Sequence, residues 1–448
     1  GNFCCNGVLA PDQSPKPAMW ECKHIFQPVD CSPTDLSKGE ISILNRYHFS
    51  DLSHLEMRWT VSEEGKVVDS GVIRDIKTAP GQSANKRIVY AQPQPKAGYE
   101  YWLRVSFHLR DSSSWAPAGH EIAWNQMLLP VITPEIDSVD IASLPSLRVE
   151  KGRSEIRLLS EAFSASLNAS TGELTSYRVL GQDELISGPM RPNFSRAFTD
   201  NDRGGRQLKR LKAWDQAGKD RDIRSVEVEQ ISPQHVQVYV KAELAIGNAS
   251  HETVYDFYSD GQLSVTNTFT PGSGSLSNLP RFGTQMGISG NYQNVSYYGR
   301  GPFENYWDRQ SAADVDVYKT TVDQMIYEYV RPQENGNRTD VRWIALTDRD
   351  GNGFVVMGEP LLSVSAWPYT QMALDTAYHM HTLERSDDIT LNLDYRQMGV
   401  GGDDTWSAKS RPLPAYRLTA KEYQYRFTLR PYRKRDGDLS EVTKRKLR

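Results

Sequence analysis

Strand-length runs alternating apolar and polar residues recur through most of the chain, and they fix its class before any motif is considered. Glu40-Ile-Ser-Ile-Leu-Asn-Arg-Tyr-His-Phe, Leu55-Glu-Met-Arg-Trp-Thr-Val and Tyr99-Glu-Tyr-Trp-Leu-Arg-Val-Ser-Phe-His-Leu share a period of two. That period sends successive side chains to opposite faces of a sheet. Gly65, Gly81 and Gly98 punctuate the runs as turns. The pattern predicts an all-β protein.

Its spacing divides the chain. Residues 24–133 hold about 100 residues of short strands at regular intervals, which predicts an immunoglobulin-like β-sandwich. Residues 134–153, with Pro134 and Pro145 and little periodicity, read as a linker. Alternation returns over residues 154–432, as in Phe163-Ser-Ala-Ser-Leu, Val236-Gln-Val-Tyr-Val-Lys-Ala-Glu-Leu, Leu263-Ser-Val-Thr-Asn-Thr-Phe and Tyr423-Gln-Tyr-Arg-Phe-Thr-Leu. About 280 residues exceed an ordinary sandwich and predict one large two-sheet β domain. The charged, aperiodic residues 433–448 read as a frayed tail. Residues 1–22 read as irregular, because Asn6-Gly7 and Pro11-Asp12 are turn signals and Pro15 and Pro17 block a helix.

A net charge of −4 provides no electrostatic footprint for nucleic acid or an anionic membrane surface. No apolar run is long enough to cross a bilayer as a helix. The start, Gly-Asn-Phe-Cys-Cys, has neither a Met nor the basic and apolar regions of a signal peptide, so the chain reads as cut from something longer. The compartment stays open, and Asn-x-Ser/Thr sequons such as Asn168-Ala-Ser and Asn337-Arg-Thr do not decide it. Cys4, Cys5, Cys22 and Cys31 match no zinc or redox spacing and read as ordinary thiols.

Candidate chemistry concentrates in Met398-Gly-Val-Gly-Gly-Asp-Asp-Thr-Trp-Ser407, where three glycines precede two carboxylates and a large aromatic. An aromatic plate beside hydrogen-bond acceptors suits a sugar, with its apolar C–H faces and rim of hydroxyls. The bland alternative is a tight inter-strand turn with Trp406 in the core. The run closely resembles one in the last domain of large bacterial β-galactosidases of glycoside hydrolase family two. The resemblance implies that Trp406 reaches into the active site, stacks on the sugar and walls off the aglycone side, while Asp403 and Asp404 fix the loop.

Further stretches carry the same resemblance in the same order. Phe3-Cys-Cys-Asn-Gly-Val, followed by Pro17-Ala18 and Glu21-Cys-Lys-His24, is similar to the family's exit from its catalytic (β/α) barrel, so residues 1–23 would be a barrel remnant. The Phe3 carbonyl and the Asn6 side-chain oxygen would then help bind sodium, a hard cation suited to oxygen ligands. The family's aspartate ligand is absent from the chain, which leaves that site incomplete. Magnesium is expected as well for the intact enzyme. Ser114-Trp-Ala-Pro-Ala-Gly-His-Glu-Ile-Ala-Trp124 resembles the family's spacer domain and carries no evident chemistry. For residues 154–432 the resemblance implies a supersandwich related to galactose mutarotases.

Within that domain, Ala197-Phe-Thr-Asp-Asn-Asp-Arg-Gly-Gly205 resembles an acidic run leading into a mobile loop at the active-site mouth, with Gly204 and Gly205 as its hinge. Its bland reading is a solvated Asx turn. Tyr297-Tyr-Gly-Arg-Gly-Pro-Phe-Glu-Asn-Tyr-Trp-Asp-Arg309 and Pro332-Gln-Glu-Asn-Gly336 also match family runs. They offer Glu304, Asp308, Arg309 and Glu334 as buried ion-pair partners that fix the fold more than they touch a ligand. His379 and His381 lie two apart on an expected strand, on one face, as half of a metal site without a third ligand by spacing.

Retaining glycosidases need two carboxyl groups about 5–5.5 Å apart. In this family both are barrel glutamates, the acid/base one following an asparagine, yet Asn-Glu occurs nowhere in the 448 residues. The resemblance therefore implies the C-terminal part of a β-galactosidase, inactive alone. Its partners would be a galactoside substrate, the N-terminal and barrel domains of the same polypeptide, and, for the parent, further copies of itself. Two other classes remain: a stand-alone carbohydrate-binding or scaffolding module, and a mutarotase-like epimerase using His379 or His381 with a glutamate.

Overall fold

A computed structural model describes Cys5 and residues 7–447. The chain is all-β and forms two compact units, one of Gly7–Asp137 with Ser311–Val317, the other of Ser138–Gln310 with residues 318–447.

The smaller unit is the immunoglobulin-like sandwich. Val29–Asp35, Glu40–Asn45 and Ser83–Arg87 make one antiparallel sheet, and Lys66–Ile73, Leu55–Glu63, Tyr101–Leu109 and Glu121–Leu128 make the other. Burial along Glu40–Asn45 alternates strictly, with Ile41 and Ile43 facing Met57, Val61, Val105 and Phe107 in one core. Tyr101–Leu109 departs from alternation, being buried on nearly every residue. The cause is Ser311–Val317, a distant segment that covers the strand's outer face. Arg104 bonds Glu121 at 2.8 Å and Asp314 at 2.7 Å, and Gln126 exchanges hydrogen bonds with the Val315 backbone (2.7 and 2.8 Å).

Pro17 does not block a helix; it starts one. Pro17–Ile25 is helical with the proline in its first turn, where the missing N–H would have no partner and the fixed φ already suits a helix. Glu21 on that helix accepts the N–H groups of Ser311 and Ala312 (3.0 and 3.1 Å). Among the described residues Cys22 and Cys31 are free thiols.

In the larger unit, thirteen strands follow one hydrogen-bonded path from Arg221–Ser232 to Arg148–Lys151, with three more strands off that path. The sheet folds over on itself. Phe163 and Phe257 stack at 6.4 Å although their strands are far apart in the order, and one core joins Val238, Leu346, Leu391 and Leu429. The last residues are not a frayed tail. Leu439–Val442 is a helical turn with Val442 buried, Lys446–Leu447 pairs in parallel with Ser138–Val139, and Arg430 donates to the carbonyls of Val442 and Arg445 (2.5 and 2.7 Å). One apolar anchor and one guanidinium on unpaired carbonyls order a segment whose composition suggests none.

Removing Arg104 would leave Glu121 and Asp314 facing each other, half-buried and unneutralised. Arg104→Ala is expected to lower unfolding stability by about 2 kcal/mol at neutral pH. The loss should narrow in acid as Asp314, whose carboxyl burial raises above its ordinary value, protonates. Urea midpoints at neutral and acid pH check this.

Candidate functional site

Residues 398–410 form an irregular loop after the strand Ile389–Gln397, and Trp406 stands on it with 68% of its surface exposed. A core role for this tryptophan is therefore excluded. Asp404 shapes the turn beneath it. One carboxylate oxygen accepts the N–H groups of Trp406 and Ser407 (3.2 and 3.0 Å), and the other accepts the Ser407 hydroxyl at 2.6 Å. Such Asx geometry substitutes side chain for backbone in a turn. The Ser407 bonds hold the Asp404 carboxyl below its ordinary value. Asp403 contributes through its backbone, donating to Lys409 O at 2.8 Å, while its side chain is exposed.

The loop is fastened from below. Arg196, wholly buried, donates Nε–H and Nη2–H to Asp202 (3.0 and 2.9 Å), Nη1–H to Met398 O (2.5 Å) and a second Nη2–H to Gly399 O (3.1 Å). Asp202 lies in the short helix Asp200–Gly204, where Thr199 and Asp202 cap each other reciprocally. From the same helix Asn201 donates to the carbonyls of Asp404 and Ser410 (3.4 and 3.2 Å), and the Ser410 hydroxyl returns a bond to Asn201 O at 2.9 Å. Gly204 touches the loop directly, since a Cβ there would lie 1.7 Å from Thr405 O. Glycine is required at this position by close approach rather than by a backbone angle. The acidic run expected to be a solvated turn or a hinge is instead a capped helical turn packed under Thr405–Trp406. Asp308 completes the clamp by accepting the Gly401 N–H at 2.8 Å.

The predicted ion-pair partners separate into two groups. Glu304 binds Arg309 at 2.5 Å, accepts the Gly336 N–H at 2.7 Å and also accepts the Tyr329 hydroxyl. Glu334 instead meets Arg281 at 2.9 Å and accepts from Gln397 at 2.9 Å. Arg281 also approaches Asp394 at 3.3 Å and donates to Asn392 Oδ1 at 2.7 Å, all of them fully enclosed. Burial, reinforced by Glu334 and opposed by Arg281, raises the Asp394 carboxyl to about 8. Burial raises Glu334 as well.

Sequence reasoning missed Arg196, Arg281 and Asp394, and found Asp202 only as part of an acidic run. Their signal is faint: Asp394 alternates with Leu391 and Leu393 as an outward-facing residue should, but the strand is covered on both faces.

His379 and His381 are not on a strand. They flank and occupy a 3₁₀ turn at Met380–Thr382, exposed, with rings stacked at 5.4 Å. Thr370 caps the preceding helix Gln371–Thr376, which ends the strand before the histidines are reached. Phe3 and Asn6, the expected sodium ligands, lie outside the described residues. Among the described residues no three His, Cys, Asp or Glu side chains are grouped to hold a metal.

A carboxyl whose folded pKa is raised stabilises the fold below its unfolded value, and that contribution is lost as pH rises through the folded value. For Asp394 the window runs from about pH 4 to about 8. Over it, wild-type stability should fall relative to Asp394→Asn; urea midpoints that track each other across this range would refute the assignment.

A family profile described as the β-galactosidase small chain matches residues 159–429, and one for β-galactosidase domain 4 matches residues 41–130. A β-galactosidase of Priestia megaterium is 34% identical over 435 residues, covering 96% of this chain and 41% of that protein. One of Vibrio cholerae is 31% identical over 441 residues, covering 96% and 41%. This chain thus spans about two fifths of the length of these curated relatives. Among solved structures, a galactose 1-epimerase from Lactobacillus acidophilus overlaps 65% of this chain and 99% of its own at 9% identity, with a TM-score of 0.36. With more than half of its residues under one profile, the chain belongs to the β-galactosidase small-chain family, its large β unit following a β-galactosidase domain 4.

Proposed function

We propose that this chain is the C-terminal part of a retaining β-galactosidase, and that it forms one wall of the active site where terminal β-D-galactosides are hydrolysed. The observation that carries this reading is Trp406, an exposed indole on a loop whose backbone is held by the buried Arg196 and by the partly exposed Asp308 and Asp404. An aromatic plate already held in place stacks on a sugar face without the entropy cost of ordering a loop. The match to proteins named β-galactosidase along 96% of the chain supports the reaction class, and the 41% share of their length supports a parent polypeptide with further domains, the catalytic barrel among them.

Roles follow from the geometry. Trp406 stacks on the apolar face of galactose and closes the aglycone side. Asp404 and Asp403 shape the loop without touching the substrate, and Gly204 lets the Asp200–Gly204 helix support it. The buried carboxylates described in the large unit, Glu173, Asp202, Glu304, Glu334 and Asp394, are committed to guanidinium partners. None is placed to act as nucleophile or acid, so turnover requires glutamates from elsewhere in the parent. Sodium held by the Phe3 carbonyl and the Asn6 amide oxygen, and magnesium elsewhere in the parent, belong to the same proposal. An independent epimerase gains no support, because His379 and His381 stack on each other and neither pairs with a carboxylate among the described residues.

Release of nitrophenol from a nitrophenyl β-galactoside tests the reading. The chain alone is expected to be silent, and activity should appear when it is supplied with the remaining domains of its parent. Trp406→Ala in the assembled enzyme should lower kcat/KM by about thirtyfold, equivalent to losing about 2 kcal/mol of aromatic burial. Turnover by the chain alone, or an unchanged kcat/KM in the variant, would sink it.

A further inference from the structure

A second feature of the large unit is a cavity of about 390 Å³ beside the pairing of Ile186–Asn193 with Arg281–Ile288. The register of that pairing breaks twice, between Ile186 and Gly188 and between Gly188 and Arg191. Irregularities of this kind re-aim side chains and interrupt pairing beside binding sites. Gly188 and Gly287 face one another with no room for a side chain, since a Cβ on Gly287 would lie 2.7 Å from the Gly188 nitrogen. Both glycines line the cavity with backbone alone.

The polar wall is held in advance. Gln371 Oε1 accepts from Asn193 Nδ2 at 2.8 Å and from Gln285 Nε2 at 3.1 Å. Gln285 donates also to Asn392 Oδ1 at 2.8 Å, the same oxygen that receives buried Arg281. This chain fixes the Gln371 amide with its oxygen engaged, and its NH₂ group donates to no described residue. Ser195 Oγ donates to one oxygen of Asp215 at 2.5 Å, and burial, with Asp375 adding to it, raises the Asp215 carboxyl above its ordinary value. Asp375 uses a single oxygen to hold the Phe198 N–H and Arg203 (3.0 and 2.6 Å). Lys219 supplies positive charge, and Met286 and Met372 supply apolar surface.

Charges of both signs line the cavity, so it selects neither a strong anion nor a strong cation. Fixed donors and acceptors beside short apolar patches match a ring with C–H faces and a hydroxyl rim, and the volume lies at the small end of the ligand-pocket range. We propose that this cavity binds one neutral saccharide ring of hexose size, hydrogen-bonded by Gln371, Asp215 and Asp375. The inference goes beyond the galactosidase reading and does not rest on it, because Trp406 is not part of the cavity. With no aromatic among the lining residues, the expected dissociation constant is modest, about 1 mM.

The experiment titrates the full chain with D-galactose and D-glucose, read by saturation-transfer NMR and calorimetry. One site is expected for at least one of them. Gln371→Ala should weaken it about tenfold. Met372→Trp should do the same by closing the mouth from a position 72% exposed, where a larger side chain leaves the core untouched. Trp406→Ala separates the two surfaces and should not move the constant. No saturation transfer from either sugar at about 100 mM, or binding that Trp406→Ala abolishes and Met372→Trp spares, overturns the proposal.

Discussion

The candidate site depends on one guanidinium without access to water. Arg196 pairs with Asp202 and bonds the carbonyls of Met398 and Gly399, so it joins the short acidic helix to the base of the tryptophan loop. A charge buried this deeply is tolerated only if its donors are nearly all matched. Four hydrogen bonds in a planar fork achieve that. A lysine ammonium would keep the charge and lose the geometry. The glycine-rich loop, which contributes no apolar side chains of its own between Met398 and Trp406 except Val400, would otherwise have little to hold it.

Exposure of Trp406 follows from this arrangement. Loops usually keep large aromatics by packing them, and here the backbone is packed instead. Gly204 against Thr405, Gly402 against Ser410 and Gly399 against Asp308 are approaches that leave no space for a Cβ. The indole is thereby left outside, rigidly presented.

Below the loop, a second buried charge system lies around Arg281. Two carboxylates share that guanidinium, and burial, opposed by Arg281 and reinforced by Glu334, keeps the Asp394 carboxyl raised. The same system continues through Asn392 and Gln285 to Gln371, so the cavity wall and the charged centre form one hydrogen-bonded chain.

Alternation of apolar and polar residues was enough to establish strands, two β units and an immunoglobulin-like sandwich, because a period of two reports directly on the faces of a sheet. The run from Gly399 to Trp406 is legible as a candidate site through its resemblance to a β-galactosidase run, since glycine, carboxylate and aromatic in succession suit a tight inter-strand turn as well. Local sequence also misled in places. Pro17 looked like a breaker until its position in the first turn made it a starter, the histidine pair looked like one face of a strand, and the charged end looked frayed. What the sequence could not contain was any pairing across long separations. Ser311–Val317 covering the strand Tyr101–Leu109, Arg196 reaching Met398, and Arg281 between Glu334 and Asp394 all join residues whose local patterns are unremarkable. Chain periodicity encodes which side of an element is apolar, but whether the polar side meets water or another polar side is decided only when the sheet folds over on itself.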